Sequence, residues 1–130
     1  LVQVEHTNNG RRYLLGNAIH GRGGVALSPW FYTEQSINDN IALIAGCSRA
    51  FGKDVECRDF VGVGAHFKLR RSEWGVFSDY SRFAEAKEFA TEVTCTVPIG
   101  EYLYLQPVAH VIKTGDRWGS AYCVRVGVQL

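Results

Sequence analysis

The residues of this sequence that could do chemistry are a pair of glutamates, three histidines and four cysteines, and their spacing limits what they can do. Glu88 and Glu92 share one face of a predicted strand, and paired carboxyl groups are what glycoside hydrolysis requires. Their Cα atoms should lie ~13 Å apart at strand rise, too far for such a pair unless the side chains lean together. His20, His66 and His110 accompany neither a G-x-S-x-G motif nor a Cys–His signature. The sequence therefore does not predict an enzyme.

The cysteines, Cys47, Cys57, Cys95 and Cys123, lack the C-x-x-C pairs and the histidine spacing of a zinc site, so no metal or other cofactor is predicted. Cys47 and Cys57 flank a predicted loop and could close a disulfide across a hairpin. The alternative is that they are small, apolar strand residues.

Composition and charge restrict the class of protein further. A chain of 130 residues is one domain or part of one. The formal net charge is +1, with Lys and Arg scattered among acids, so nucleic acid is not expected as a partner. No apolar run approaches the ~18 residues of a membrane-spanning helix. The chain opens on Leu-Val-Gln with no charged-then-apolar leader, which suggests a mature chain or a piece of a longer one.

The elements that must position these side chains are strands, and the clearest are two period-two runs that meet at a tight turn. One face carries Phe89, Val93, Cys95 and Val97 from the first run and Leu103, Leu105, Pro107, Ala109 and Val111 from the second. The other face carries Glu88, Glu92, Thr94, Thr96, Tyr104, Gln106 and His110. Residues 98–101, Pro-Ile-Gly-Glu, supply the turn, so a β-hairpin is predicted.

The remaining chain repeats this pattern. Alternation and turn residues predict further strands over 11–20, 25–34, 41–47, 60–69 and 74–80, with a turn at 36–39. Pro29 lacks a ladder donor, so a bulge or a strand edge is expected near it. Residues 83–88 have a helix-prone composition but are too few for a stable helix. The predicted fold class is all-β, an antiparallel meander of about eight strands.

The closing segment favours a membrane barrel. Tyr122, Val124, Val126, Val128 and Leu130 alternate with polar or small residues up to the last position, as in outer-membrane β-barrels. The predicted strands are long enough to cross the apolar band. Tight connections at 36–39, 70–73 and 98–101 also alternate with longer ones at 50–56, 82–87 and 113–119. Two alternatives stay open. One is a soluble meander, and the other is a small soluble barrel of lipocalin or streptavidin type that binds a hydrophobic or sugar ligand.

Several stretches together carry a family resemblance: F-V-G-V-G-A-H-F-K-L (60–69), G-V-F-S-D-Y-S-R-F (75–83), the run 90–115 and the closing strand, of which the most specific piece is L-Q-P-V-A-H-V-I (105–112). They resemble the carbohydrate-selective porins of bacterial outer membranes, of the glucose-porin type. That piece is similar to the family's penultimate strand, which leads to a Pro/Gly-rich outer loop. The family's barrel has about sixteen strands, so the resemblance implies that residues 1–130 are a single barrel domain or the C-terminal portion of a larger barrel.

The resemblance also implies a function and a location. It implies passive diffusion of neutral sugars through the outer membrane, contact with outer-membrane lipids, and further barrel strands or a homo-oligomer. It places one set of side chains in a lumen: His66, Lys68, Asp79, Glu88, Glu92, Tyr104, Gln106, His110 and Arg125, together with Gln129. A lining of both signs suits a neutral polyol better than an ion, although each residue could merely solvate the wall. Trp74, Trp118 and Tyr122 would be girdle aromatics at the membrane interfaces or ordinary strand packing.

Overall fold

The structure, a computed structural model, describes residues 2–21, 25–52 and 55–128 and places their strands in one antiparallel sheet. Nine strands follow one another in the sheet in chain order. They are β1 (Val2–Asn8), β2 (Arg11–Gly21), β3 (Val25–Asn38), β4 (Ile41–Arg49), β5 (Cys57–Leu69), β6 (Ser72–Phe83), β7 (Lys87–Ile99), β8 (Leu103–Thr114) and β9 (Arg117–Val128). The predicted all-β meander is confirmed, with nine strands instead of about eight. Among the described residues, no helix is long and apolar enough to cross a membrane.

The additional strand is β1, which the sequence reading missed. It pairs with β2 from Val2↔Asn17 to Asn8↔Arg11. The turn between them is Asn9-Gly10, and both residues have positive φ, 46° and 73°. This conformation suits Asn and Gly, so Asn9-Gly10 forms the turn of a β1–β2 hairpin.

Strand β3 is longer than predicted. It continues to Asn38, and its register with β4 shifts between Ser36 and Asn38. The turn therefore lies at residues 39–40, where the Asn40 N–H donates to Asn38 Oδ1 over 2.9 Å. Pro29 faces Asn17 in regular register, so no bulge lies there. The continuous β3–β4 ladder begins only at Trp30↔Ser48. Pro29 therefore lies at an edge of this ladder, as expected for a residue that has no backbone N–H to donate.

The expected alternation of short and long connections is only partly present. The turn between β8 and β9 has two residues, 115–116, so the loop predicted over 113–119, and with it the Pro/Gly-rich outer loop, is wrong. Gly115 has φ of 59°, which lets the chain reverse that tightly. The β6–β7 connection has three residues, 84–86, whereas the β4–β5 connection spans 50–56. One end of the sheet is closed by the turns at 9–10, 39–40, 70–71 and 100–102, and we call it the turn end.

The two faces of the sheet differ in crowding, and this shows which way the sheet curves. The buried side chains Ala42, Ala90 and Val108, together with Ser81, all lie on the face that carries the polar residues. The aliphatic side chains of the other face are open, with Val63 59% and Val126 69% exposed. Side chains converge on the concave side of a curved sheet and diverge on its convex side. The polar face is therefore concave and the aliphatic face convex.

All four cysteines are free, so the disulfide considered for Cys47 and Cys57 is not formed. Cys47 pairs with Val61, four residues further along β5 than Cys57. At strand rise this separates the two cysteines by ~13 Å, which no disulfide can span. Gln129 and Leu130, the last residues of the predicted closing strand, lie outside the described residues.

Candidate functional site

The candidate site is the concave polar face, and the strand register assigns its members. One row runs Arg12, Glu34, Ile44, Gly64 and Phe77, and continues through Glu92 and His110 to Ala121. The cross-strand pairs put nine residues named from the sequence on this face: His66, Lys68, Asp79, Glu88, Glu92, Tyr104, Gln106, His110 and Arg125. Their common face is a finding, whereas their part in lining a lumen stays a prediction.

Four of the polar residues form a chain of contacts across β7, β8 and β9. Arg125 Nη1 donates to Gln106 Oε1 over 3.2 Å, and Gln106 Nε2 donates to Thr96 Oγ1 over 2.8 Å. Arg125 Nη2 also lies 3.8 Å from Glu92 Oε2. The guanidinium of Arg125 therefore lies between a neutral amide and a carboxylate, so neither its charge nor that of Glu92 is isolated on this part of the face.

A second network crosses β3 to β6 and centres on His66. Its Nε2 lies 3.3 Å from Glu34 Oε1 and its Nδ1 3.2 Å from Glu73 Oε1. The ring reaches Glu34 across β4, where the row carries the small Ala42 opposite His66. Tyr32 Oη donates to Glu34 Oε2 over 3.3 Å, which extends the chain further. The sequence reading identified His66 in this network but not Glu34, Glu73 or Tyr32.

The other predicted lining residues are spread along the face and are not gathered into one cluster. Ser81 Oγ donates to Asp79 Oδ1 over 3.3 Å, and Thr114 Oγ1 donates to Glu88 Oε2 over 3.2 Å. Lys68 and Tyr104 lie at the turn end, where they line a cavity of about 340 Å³ with Arg70 and Arg71. In the described part of the chain, no three His, Cys, Asp or Glu side chains are grouped to hold a metal ion.

The convex face carries the aliphatic residues and, toward its ends, polar and aromatic ones. Asp59 accepts from Arg49 Nε over 3.0 Å and also pairs with Arg82, at the end of the sheet away from the turns. Trp118 lies at the same end with Lys113 Nζ 5.4 Å from its ring. Trp74 lies two residues from the turn-end start of β6. These positions fit girdles, but Tyr122 does not, because it is the sixth of twelve residues in β9.

The sequence reading also assigned no role to an aromatic group on the concave face. Trp30 and Tyr32 of β3, Phe60 of β5 and Phe77 of β6 are each half-buried there. Glycines lie beside or beneath these rings, on β2, β4 and β5. The concave face therefore carries a patch of aromatic side chains in addition to its polar networks.

Comparison with known proteins identifies the fold. No family model and no curated protein sequence matches the chain. Two solved structures match, "KdgM porin" and "KdgM porin in complex with disordered oligogalacturonate", both with a TM-score of 0.72. Their sequence identities are 12% and 13%, and in both cases the match covers 98% of this chain and 72% of the other. The nine-stranded sheet thus has the fold of part of a porin β-barrel, and the similarity does not extend to the glucose-porin type specifically.

Proposed function

We propose that this chain forms part of the wall of a bacterial outer-membrane pore for passive diffusion of carbohydrate. The observation that carries the proposal is the reversal of the usual amphipathic arrangement: charged and amide side chains lie on the crowded concave face, and open aliphatic ones on the convex face. A lumen wall against water and an outer surface against lipid require this arrangement. The fold of a porin supports it.

The same observation opposes the soluble alternative. A lipocalin-like or streptavidin-like barrel encloses its apolar side chains, whereas Val61, Val63, Val124 and Val126 are 51–69% exposed on the convex face. Within the described residues β1 and β9 make no contact, so the sheet does not close on itself into a small cavity.

Charge on the concave face supports a neutral sugar as the substrate class. The register-paired residues of that face include six carboxylates, Glu5, Glu34, Glu73, Asp79, Glu88 and Glu92, and four cations, Arg12, Lys68, Arg117 and Arg125. Several of these are paired with each other, such as Arg12 Nε with Glu5 Oε1 at 2.7 Å. A polyanion would meet net repulsion here, while hydroxyl groups can exchange hydrogen bonds with either sign. A glucose-type substrate is therefore part of the proposal.

One feature favours an acidic oligosaccharide as a second candidate. Lys68, Arg70 and Arg71 line one cavity at the turn end, where Glu73 is the carboxylate beside them. Such a basic rim would raise the local concentration of an anion, and one matched structure is titled as a complex with oligogalacturonate. The basic rim occupies only one end of the concave face, and over the whole face carboxylates outnumber cations. The neutral substrate therefore remains the better-supported one.

Liposome swelling of the full-length protein tests the proposal. Neutral sugars of graded size should give swelling rates that fall with size, and galacturonate oligomers of equal size should give slower swelling. Faster swelling with the acidic oligomers, abolished by Arg70→Ala with Arg71→Ala, would establish the second candidate in place of the first. Vesicles that show no sugar-dependent swelling although the protein is inserted would refute the pore.

A further inference from the structure

The aromatic group on the concave face surrounds a depression that none of the polar networks fills. Trp30, Tyr32, Phe60 and Phe77 line a cavity of about 530 Å³, together with the polar side chains of Arg12 and Ser48. Ser48 and Gly46 of β4 form the floor between the Trp30 side and the Phe60–Phe77 side, because β4 lies between β3 and β5. Small residues therefore form the base of the cavity, and the larger aromatic rings lie on either side of it.

The rings are held against the sheet by glycines. The indole of Trp30 occupies the space that a side chain at Gly16 would fill, with Nε1 2.7 Å from the position of the missing Cβ and two ring carbons closer still. The indole therefore packs directly against the backbone of Gly16 on the concave side of the sheet.

The two phenyl rings behave similarly over β5. Phe77 occupies the space above both Gly62 and Gly64, and Phe60 Cζ lies 3.1 Å from the missing Cβ of Gly62. The ring centroids of Phe60 and Phe77 are 6.3 Å apart with an angle of 14° between their planes. The two rings are nearly parallel and meet over one glycine, so they form a continuous aromatic surface.

We propose that Trp30, Phe60 and Phe77 form a stacking platform for a neutral hexopyranose ring, a sugar-binding site on the concave face. The face of an aromatic ring carries negative charge density, which attracts the polarised C–H groups of a flat pyranose face. Arg12, Ser48 and Tyr32, which also line this cavity, offer donors and acceptors to the equatorial hydroxyls. The inference rests on the proposed pore function and names the contact through which that pore recognises sugar rings.

Tryptophan fluorescence tests the platform without requiring conduction. Trp30 lies on the concave face, whereas Trp74 and Trp118 lie on the convex face. In the full-length protein carrying Trp74→Phe and Trp118→Phe, emission from this chain's tryptophans comes from Trp30 alone. Maltohexaose should change that emission saturably, and sorbitol at equal hydroxyl concentration should not, because it has no ring face. Equal responses to both compounds, or no response to either, would overturn the platform.

Current blockade in planar bilayers supplies the second test. Trp30→Ala and Phe77→Ala should each shorten the residence time of maltohexaose about twofold to tenfold, and Trp30→Phe should restore most of it. Phe89→Ala is the matched control, because Phe89 lies on the convex face of β7 and does not line the cavity.

The two tests also separate failure of the platform from failure of the pore. Unchanged residence times in a protein that conducts ions and sugar would remove the platform and leave the pore intact. A protein that inserts without conducting would remove the pore function, and the fluorescence titration would still decide whether the platform binds the sugar.

Discussion

A charge placed on the convex face at mid-depth should be costly, and Val63 is the position to test. It lies six residues from either end of β5, which has 13 residues, and its side chain is 59% exposed. A strand of that length is roughly 43 Å long and, at a tilt of about 40°, roughly 33 Å high. Val63 therefore lies near the middle of an apolar band about 25 Å tall. Val63→Arg should lower the free energy of unfolding in lipid vesicles by about 2–4 kcal/mol, roughly a 30- to 1,000-fold change in the folding equilibrium.

Two control variants make this prediction specific to depth and to face. Thr94→Arg places the same charge one residue from the midpoint of β7 but on the concave face, and it should cost far less. Val126→Arg lies on the convex face but pairs with Leu105, two residues from the start of β8. Its depth, about 5 Å from the strand end, predicts a cost of about 0–1 kcal/mol. Denaturant titrations in vesicles measure all three, and equal costs for Val63→Arg and Thr94→Arg would refute the assignment of faces.

Three further predictions follow from the same assignment. Arg125→Ala should shift the ion selectivity of the pore toward cations and Glu92→Ala toward anions, because each removes one member of a concave-face charge pair. Reversal potentials measure the selectivity, and the control Arg49→Ala on the convex face should leave it unchanged. Shifts of equal size from all three variants would contradict the prediction. In vesicles, a charged thiol reagent should label Cys123 on the concave face and spare Cys95 on the convex face, as mass spectrometry of single-cysteine variants would show; labelling of both at one rate would be inconsistent with a membrane boundary. The chain of 130 residues, expressed alone in plain buffer, should be insoluble or oligomeric, because β1 and β9 present unpaired edges in the described sheet. A monodisperse monomer in analytical ultracentrifugation would favour the soluble alternative.

Much of the fold could be predicted from the sequence because period-two alternation is strong wherever one face is continuously aliphatic. Strand β5 has Val61, Val63, Ala65, Phe67 and Leu69 on its convex face, and its predicted and observed spans differ only at the first residues. Strand β1 was missed because only Val2 and Val4 mark that face before His6 and Asn8. The end of β3 was misplaced because Ser36 and Asn38, which are turn residues by type, occupy a bulge and a strand end.

The aromatic platform shows what the sequence could not reveal. Trp30, Phe31 and Tyr32 are consecutive, so the aromatic character of this stretch has no period and hides the fact that the middle ring faces the other way. Alternation within the predicted strand 74–80 puts Phe77 on the face opposite Trp74, as observed, but nothing in its local sequence indicates that its ring lies over Gly62 and Gly64. A glycine in a strand marks a close approach, yet the approaching residue comes from a neighbouring strand, and only the register identifies it.

The odd number of strands has a consequence for closure of the wall. In an antiparallel meander each strand reverses the direction of the one before it, so β1 and β9, the first and ninth strands, run the same way. Joining these two edges directly would make a parallel pair, and so would placing a second copy beside the first in the same membrane orientation. A barrel with antiparallel neighbours throughout therefore requires an odd number of additional strands between β9 and β1. A second identical sheet would supply nine strands, an odd number, but inserted in the same sense it would meet β9 with a parallel β1, so strand direction excludes it.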